Sequence, residues 1–261
     1  MFSQDQIKSQ LEKFSIAKGK IITIHSSLKA VGEVEGGGEA LLSTLIDYFT
    51  EDGGLFFVPA FTWRYALPDM RTDETCVGAL SKLAAGRPDR VRSIHPTHSV
   101  SVFGDREKAL EFVKDDEFTD TLLNPKGCYG KLFDEDGYVL LMGVGHDSNT
   151  FLHCVEEILK VPNRVRKESR ILPLIREDGV RVEREMYYMD HDSVPGFSER
   201  YWKFEPAFRY HGAIIDGFIG NAPTQLCNAR KMKEVVELIL NNNNYGELLA
   251  DDAPIDEKLY K

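Results

Sequence analysis

Short apolar runs alternate with longer amphipathic stretches along this chain, separated by glycine, proline and charged turns. Residues 20–24 form a compact apolar run that stops at His25-Ser26-Ser27, and residues 55–58 form a second that Pro59 ends. Between them Gly36-Gly37-Gly38 leads into residues 39–49, whose apolar side chains recur at helical period. This is a strand–loop–helix–strand unit of the α/β type. Residues 3–14 read as a helix opened by a Ser3/Gln6 capping box, and residues 99–103 alternate like a strand. Asp105 caps a helix over 106–114, and the turn Asn124-Pro125-Lys126-Gly127 leads to a short helix ending near Phe133. Asp136-Gly137 then starts a buried strand over 138–142.

The second half reads less regularly. Residues 170–176 and 180–188 are strand-like around Glu177-Asp178-Gly179, a hairpin signal. Helices are expected over 194–203 and 224–241, with Asn221-Ala222 opening the latter region and the asparagines after 241 fraying it. Residues 213–218 form one more apolar segment. The connection from 60 to 92 carries a short helix over 78–85, and a connection that long is usually functional. No repeat and no long linker divides the chain, so residues 1–261 are read as one mixed α/β domain.

Candidate chemistry centres on His153. Asn149 is positioned to cap a helix that follows the strand over 138–142, which puts His153 in its first turn. The helix dipole there disfavours a charged imidazole. A neutral ring at the mouth of a strand–loop–helix unit suits a general base, although the same spacing also fits a purely structural histidine. Glu156 and Glu157 lie three and four residues on, within reach along one helical face.

Composition narrows the classes. A net charge of −10 argues against nucleic acid, whose phosphates need a basic face, and permits a cationic substrate. No apolar run approaches the roughly 18–20 residues of a membrane span, and the polar N-terminus is unlike a signal peptide. Cys76, Cys128, Cys154 and Cys227 are scattered without a C-x-x-C pair, as in a reduced cytoplasmic protein. His95 and His98 lie three apart, but a third ligand with suitable spacing is missing, so no metal is expected.

Five stretches carry a family resemblance. They are His25-Ser26-Ser27-Leu28-Lys29-Ala30-Val31-Gly32, then Glu35-Gly36-Gly37-Gly38-Glu39-Ala40-Leu41, and the run from Gly54 through Phe61-Thr62-Trp63. Further on come Val91-Arg92-Ser93-Ile94-His95-Pro96-Thr97-His98-Ser99-Val100 and the segment from Leu140 to His153. In this order they resemble the aminoglycoside 3-N-acetyltransferases, a family distinct from the GNAT acetyltransferases. The resemblance implies a three-layer α/β/α sandwich around a mixed sheet. It also implies acetyl-CoA as cosubstrate, no metal, and an amine acceptor, classically the 3-amino group of a 2-deoxystreptamine ring. In these terms His153 matches the histidine that activates the amine, and Glu185, Asp190 or Asp192 falls where the family supplies acidic residues. One departure stands out: Arg64 follows Trp63 where acidic residues are common, and a cation there would repel a polycationic sugar if it faced the site.

The residues themselves support such chemistry. A base must free the amine's lone pair before it attacks a thioester, and a carboxylate (Glu156, Glu185 or Asp190) can fix the tautomer of His153. Backbone N–H groups around Ser26-Ser27 or Gly143 to Gly145 are candidates for stabilising the oxyanion. No G-x-S-x-G elbow is present, which favours direct transfer. The strand-end loop of His25, Ser26, Ser27, Leu28 and Lys29, continuing to Val31 and Gly32, offers donors for the coenzyme's pyrophosphate arm. Arg92, Ser93, His98 and Ser99 either order the active-site loop or touch the coenzyme. Trp63, Tyr65 and Tyr187 can line the acceptor pocket, and aromatic packing explains them equally. The rival readings are a hydrolase using Ser26 or Ser27 with His153, and a coenzyme-binding module without turnover. The partner is a small amine, either an aminoglycoside or another metabolite, and the chain acts as a monomer or homodimer.

Overall fold

The computed structural model describes residues 1–72 and 74–261. Its elements run in the order α1 (Gln4–Glu12), β1 (Ile21–Ser26), α2 (Leu28–Val31), α3 (Gly37–Thr50), β2 (Leu55–Pro59) and α4 (Ala79–Gly86). Then come β3 (Val91–Arg92), β4 (Val100–Phe103), α5 (Arg106–Val113), α6 (Cys128–Asp134), β5 (Tyr138–Met142) and α7 (Phe151–Ile158). The chain continues through β6 (Val165–Ile175), β7 (Arg181–Met189), a 3-10 helix (Ser198–Phe204), α8 (Glu205–Tyr210), β8 (Ile214–Ile219), β9 (Ala222–Asn228) and α9 (Ala229–Asn242).

Seven strands form one mixed sheet in the order β3-β4-β2-β1-β5-β9-β8. The central trio β2-β1-β5 is parallel, and β4, β3, β9 and β8 join antiparallel at the flanks. Because neighbouring side chains on a strand face opposite ways, the sheet feeds two cores. Ile22, Ile24, Phe56, Val58, Leu140 and Met142 pack on one face with α1, α3 and α4. Ile21, Leu55, Phe57, Val139 and Leu141 pack on the other with α5, α6, α7 and α9. The result is a three-layer α/β/α sandwich. Each fully buried large side chain contributes about 1.5–3 kcal/mol, so the two faces together outweigh any single polar contact. Residues 165–189 stand apart as the two-stranded β6–β7 hairpin, turned at Gly179 as its Glu-Asp-Gly signal requires.

Local chemistry explains most boundaries. The Ser3/Gln6 box closes on α1, and Asp105 accepts from Lys108 N to start α5. Four expectations are corrected. Residues 224–228 are not helical: from Ala222 the chain runs as β9, paired with β5 and β8, and Asn228 caps α9 only at Ala229. Asn221-Ala222 accordingly begins a strand, with Asn221 N bonded to Val31 O. The α-helix expected over 194–203 is instead a tight 3-10 segment over Ser198–Phe204. Asn149 does not cap α7; Thr150 holds the N-cap position, and the Asn149 amide donates instead to His146 Nδ1 at 3.1 Å.

The end of β5 meets α2 through Gly143, which has φ of +69°. A Cβ there would stand 2.5 Å from Ala30 Cβ in α2. Positive φ and overpacking act together, so Gly143→Ala is expected to destabilise the fold by about 2 kcal/mol or more. Urea denaturation measures this, and a loss smaller than about 0.5 kcal/mol would show that α2 is free to shift.

Candidate active site

In open α/β sheets, crevices form where parallel strands end at their carboxyl edge. Here β1 ends in His25 and Ser26, β2 in Pro59, and β5 leads through Val144 towards α7. Those residues line a cavity of about 310 Å³ together with Phe61, Trp63, Asp147 and His153. Gly78 and Ser81 at the start of α4, and Ser198 and Tyr201 of the 3-10 helix, complete its wall.

His153 is the third residue of α7, and its side chain is 16% exposed. Burial lowers its pKa to about 3, with His191 and Arg164 adding repulsion, so the ring is neutral at pH 7. The dominant cause is therefore burial rather than the helix dipole. The Tyr201 hydroxyl lies 2.9 Å from His153 Nδ1 and donates to Glu156 Oε2 at 2.5 Å. A phenol has one proton. While that proton points at Glu156, the oxygen accepts from Nδ1–H, and Nε2 keeps its lone pair. Glu156 Oε1 accepts from Arg164 Nε at 2.6 Å, and the far side of Arg164 makes two 2.9 Å bonds to Glu247. Arg164 is 3% exposed at its side chain, and its guanidinium sits 4.6 Å from the Phe197 ring centroid. Phe197 in turn meets the His153 ring edge-on at 5.5 Å. Burial pushes the Glu156 carboxyl up to about 7, against the pull of Arg164 and Tyr201. Glu157 turns elsewhere, accepting from Thr121 Oγ1 at 2.5 Å, and is likewise pushed up to about 7 by burial.

The other expected residues divide sharply. His25 and Ser26 line the cavity; burial lowers the His25 pKa to about 4, and its Nε2 has no partner among the described residues. Ser27 caps α2 by accepting from Ala30 N, and its own N–H donates to Met142 O. Gly143 N donates to Pro223 O, so neither Ser27 nor Gly143 has a backbone donor free for an oxyanion. Leu28, Val31 and Gly32 border a neighbouring groove of about 310 Å³. Leu28 also borders a wider one of about 740 Å³ lined by Ala79, Lys82 and Arg87. Lys29 is exposed on α2. Trp63 is 44% exposed on the cavity wall, while Arg64 lies outside the lining, so the expected repulsion has no seat there.

Hydrogen bonding places the remaining expected residues. Arg92 is buried and donates to the backbone carbonyls of Ala60, Thr72 and Glu74 and to Ser99 Oγ. Ser99 Oγ donates to Ala60 O, and Ser93 Oγ accepts from Val100 N. These three knit the long loop to β4, the loop-ordering alternative of the two expected, and none of them lines the cavity. His98 stacks against Phe61 at 4.6 Å and Trp63 at 5.3 Å, so it backs the cavity wall. Glu185 accepts from Ser169 on the exposed hairpin, Asp190 ties down Ser193, and Asp192 pairs with Arg166. None of the three lines the cavity or bonds His153. Tyr65 points its hydroxyl to Thr75 O, and Tyr187 is held in the hairpin through Asp120 O. Sequence reasoning missed Tyr201, Arg164, Glu247 and Asp147. Only Asp147, inside the motif before His153, carried a local signal. Among the described residues no group of three or more His, Cys, Asp or Glu is placed to hold a metal ion. No described helix is long and apolar enough to cross a membrane.

Known proteins share this architecture. Aminoglycoside N(3)-acetyltransferase III of Serratia marcescens is 27% identical over 253 residues, covering 87% of this chain and 92% of that protein. Among solved structures, a histidine-to-alanine mutant of aminoglycoside acetyltransferase AAC(3)-IVa, in complex with a gentamicin, superposes with a TM-score of 0.79. It has 24% identity and covers 93% of this chain and 90% of its own. AAC-IIIb, as a binary complex with CoASH, superposes with a TM-score of 0.78 at 21% identity, covering 92% and 97%. These two likenesses carry the fold. The family profile for aminoglycoside 3-N-acetyltransferase matches residues 23–241, most of the chain and the whole run from β1 through the His153 relay to α9; the chain belongs to that family.

Proposed function

We propose that this chain transfers an acetyl group from acetyl-CoA to an amine, with His153 as general base. The 3-amino group of a 2-deoxystreptamine aminoglycoside is the acceptor that family membership favours. The observation that carries the reading is the Tyr201–Glu156 relay on Nδ1, which leaves Nε2 of a cavity-lining histidine ready to take a proton. The ammonium gives one proton to Nε2, its freed lone pair attacks the thioester carbonyl, and the second proton shed by the nitrogen passes to the departing sulfur, so the coenzyme leaves as thiol. Direct transfer is favoured because Ser26, the hydroxyl at the end of β1 that lines the cavity, is not hydrogen-bonded to His153. Asp147 supplies a carboxylate on the same wall to receive an ammonium group.

The coenzyme reading draws on the CoASH-bound structure of AAC-IIIb and on the grooves beside the cavity. The thioester end occupies the cavity, and the arm passes the start of α4 toward the groove that Lys82 and Arg87 border. Arg87 is already paired with Asp89, which leaves Lys82 as the freer cation for phosphate. Four unbridged cysteines agree with action in the cytoplasm.

A second reading concerns the acceptor. Asp147 is the one carboxylate among the described residues lining the cavity, which suits an amine bearing a single positive charge as well as a polycation. Thiol release from acetyl-CoA with kanamycin-type, gentamicin-type and non-aminoglycoside amines separates the two. A response confined to non-aminoglycoside amines selects the second reading, and equal release without any amine selects hydrolysis.

General-base assistance is worth about 10²–10⁴-fold, so His153→Ala is expected to lower kcat by that factor while the thermal midpoint stays near wild type. An unaffected kcat would remove the histidine from the chemistry. Tyr201→Phe leaves Nδ1–H and a carboxylate oxygen without their partner, a loss of about 1–3 kcal/mol, or roughly 5–150-fold in kcat. The pH profile carries a further sign. Ionised Glu156 is the stronger acceptor that draws the Tyr201 proton away from His153, and its pKa is raised to about 7, so kcat/KM should fall as pH drops through 7. His153 does not set that limb, because its own pKa is about 3. A profile flat down to pH 5 would contradict the relay.

A further inference from the structure

The relay does not end at Glu156. Its outermost carboxylate, Glu247, comes from residues 245–252 of the C-terminal segment, beyond the stretch that matches the family profile. This segment is strapped across the back of the site by three cations. Arg164 holds the Glu247 side chain in a two-pronged pair, Lys203 Nζ donates to Leu248 O and Asp251 O, and Arg200 donates to Leu249 O and Asp252. Arg200 and Lys203 flank Tyr201 on one 3-10 helix, so the element that presents the hydroxyl to His153 is also the one that grips the strap. Leu249 is buried in the core, and a small cavity of about 80 Å³ lies between Glu156, Arg164 and the strap.

We propose that Glu247 is a positioning residue for the acetyl-transfer reaction, acting through Arg164 and Glu156 to set the pH at which the Tyr201 proton turns from Glu156 to His153. Geometry carries the argument. Glu247 occupies both terminal nitrogens of Arg164, leaving Nε as the donor aimed at Glu156 Oε1. With Oε1 engaged by Arg164, Oε2 is the acceptor left for Tyr201, and Tyr201 then accepts from His153. The charges facing Glu156 are Arg164 from the entry to β6, Tyr201 from the 3-10 helix, His153 and Glu157 from its own helix, and Glu247 from the strap. Glu247 is the only one of these whose negative charge comes from outside α7, and it opposes ionisation of Glu156 while holding the cation that favours it.

The test uses the full chain labelled with 15N histidine. The imidazole nitrogen shifts of His153 report which nitrogen carries the proton. In the wild type the Nδ1–H form should prevail above pH 7 and reverse below it, as Glu156 takes a proton and Tyr201 turns to Nδ1. Glu247→Gln keeps an acceptor for Arg164 but removes the charge, so the reversal should move about 0.5–1 pH unit lower. The acid limb of kcat/KM should move with it, and KM for acetyl-CoA should stay within about twofold. Asp252→Asn serves as control, because it weakens the same strap at Arg200 without touching the relay; its reversal should stay at the wild-type pH. Reversal at the same pH in Glu247→Gln and wild type, an equal shift in Asp252→Asn, or no reversal in the wild type overturns the proposal. The inference rests on His153 being the base of the reaction proposed above. The nitrogen shifts need no turnover, so inactivity on every amine would sink the acetyl-transfer reading without altering this outcome.

Discussion

A carboxylate taken out of water must be repaid by partners of good geometry, and Glu156 is the point where this fold meets that demand. Moving an ion of this size into the interior costs several kcal/mol even after relaxation, more than any surface ion pair in the chain returns. Three separate parts of the sequence converge to offset it. The entry to β6 brings the Arg164 guanidinium, the 3-10 helix after the hairpin brings the Tyr201 hydroxyl, and the C-terminal strap brings Glu247 to balance the arginine. Phe197 closes the stack between Arg164 and His153. The segments around the back of the cavity are thus arranged by one buried carboxylate, and the His153 ring inherits its orientation from it.

The central architecture was legible in the sequence because its signals are local. Apolar runs that stop at Pro59 or at His25-Ser26-Ser27, the Ser3/Gln6 and Asp105 caps, and the Glu-Asp-Gly turn each report on a few neighbouring residues, and the structure follows them. Residues 222–228 were misread because their strand character comes from β5 and β8 on either side, and neither neighbour is visible in a local period. The helix expected over 194–203 is present from Ser198, but its winding at three residues per turn rather than 3.6 depends on packing that the local pattern does not show.

The site divides along the same line. His153 and Glu156 share a helix and could be paired by spacing. Tyr201 lies 48 residues beyond His153, and Glu247 lies 83 beyond Arg164, so only the tertiary fold brings them together. Glu185, Asp190 and Asp192 looked suitable because carboxylates near the hairpin match the family's placement. The hairpin is an exposed two-stranded sheet of its own, and those groups pair with local serines and an arginine. Arg92 stood between two readings, since a lone arginine in a polar loop suits either a phosphate ligand or a loop fastener until its donors are traced to carbonyls.

That last arrangement has a consequence for how the pocket can change over generations. Arg92 fastens the long connection by gripping main-chain oxygens of Ala60, Thr72 and Glu74, and every residue type has such an oxygen. The stitching is therefore indifferent to which side chains the connection carries. Trp63 and its neighbours can be exchanged by drift or selection while the backbone path persists, so new acceptors can be sampled without dismantling the wall that holds them.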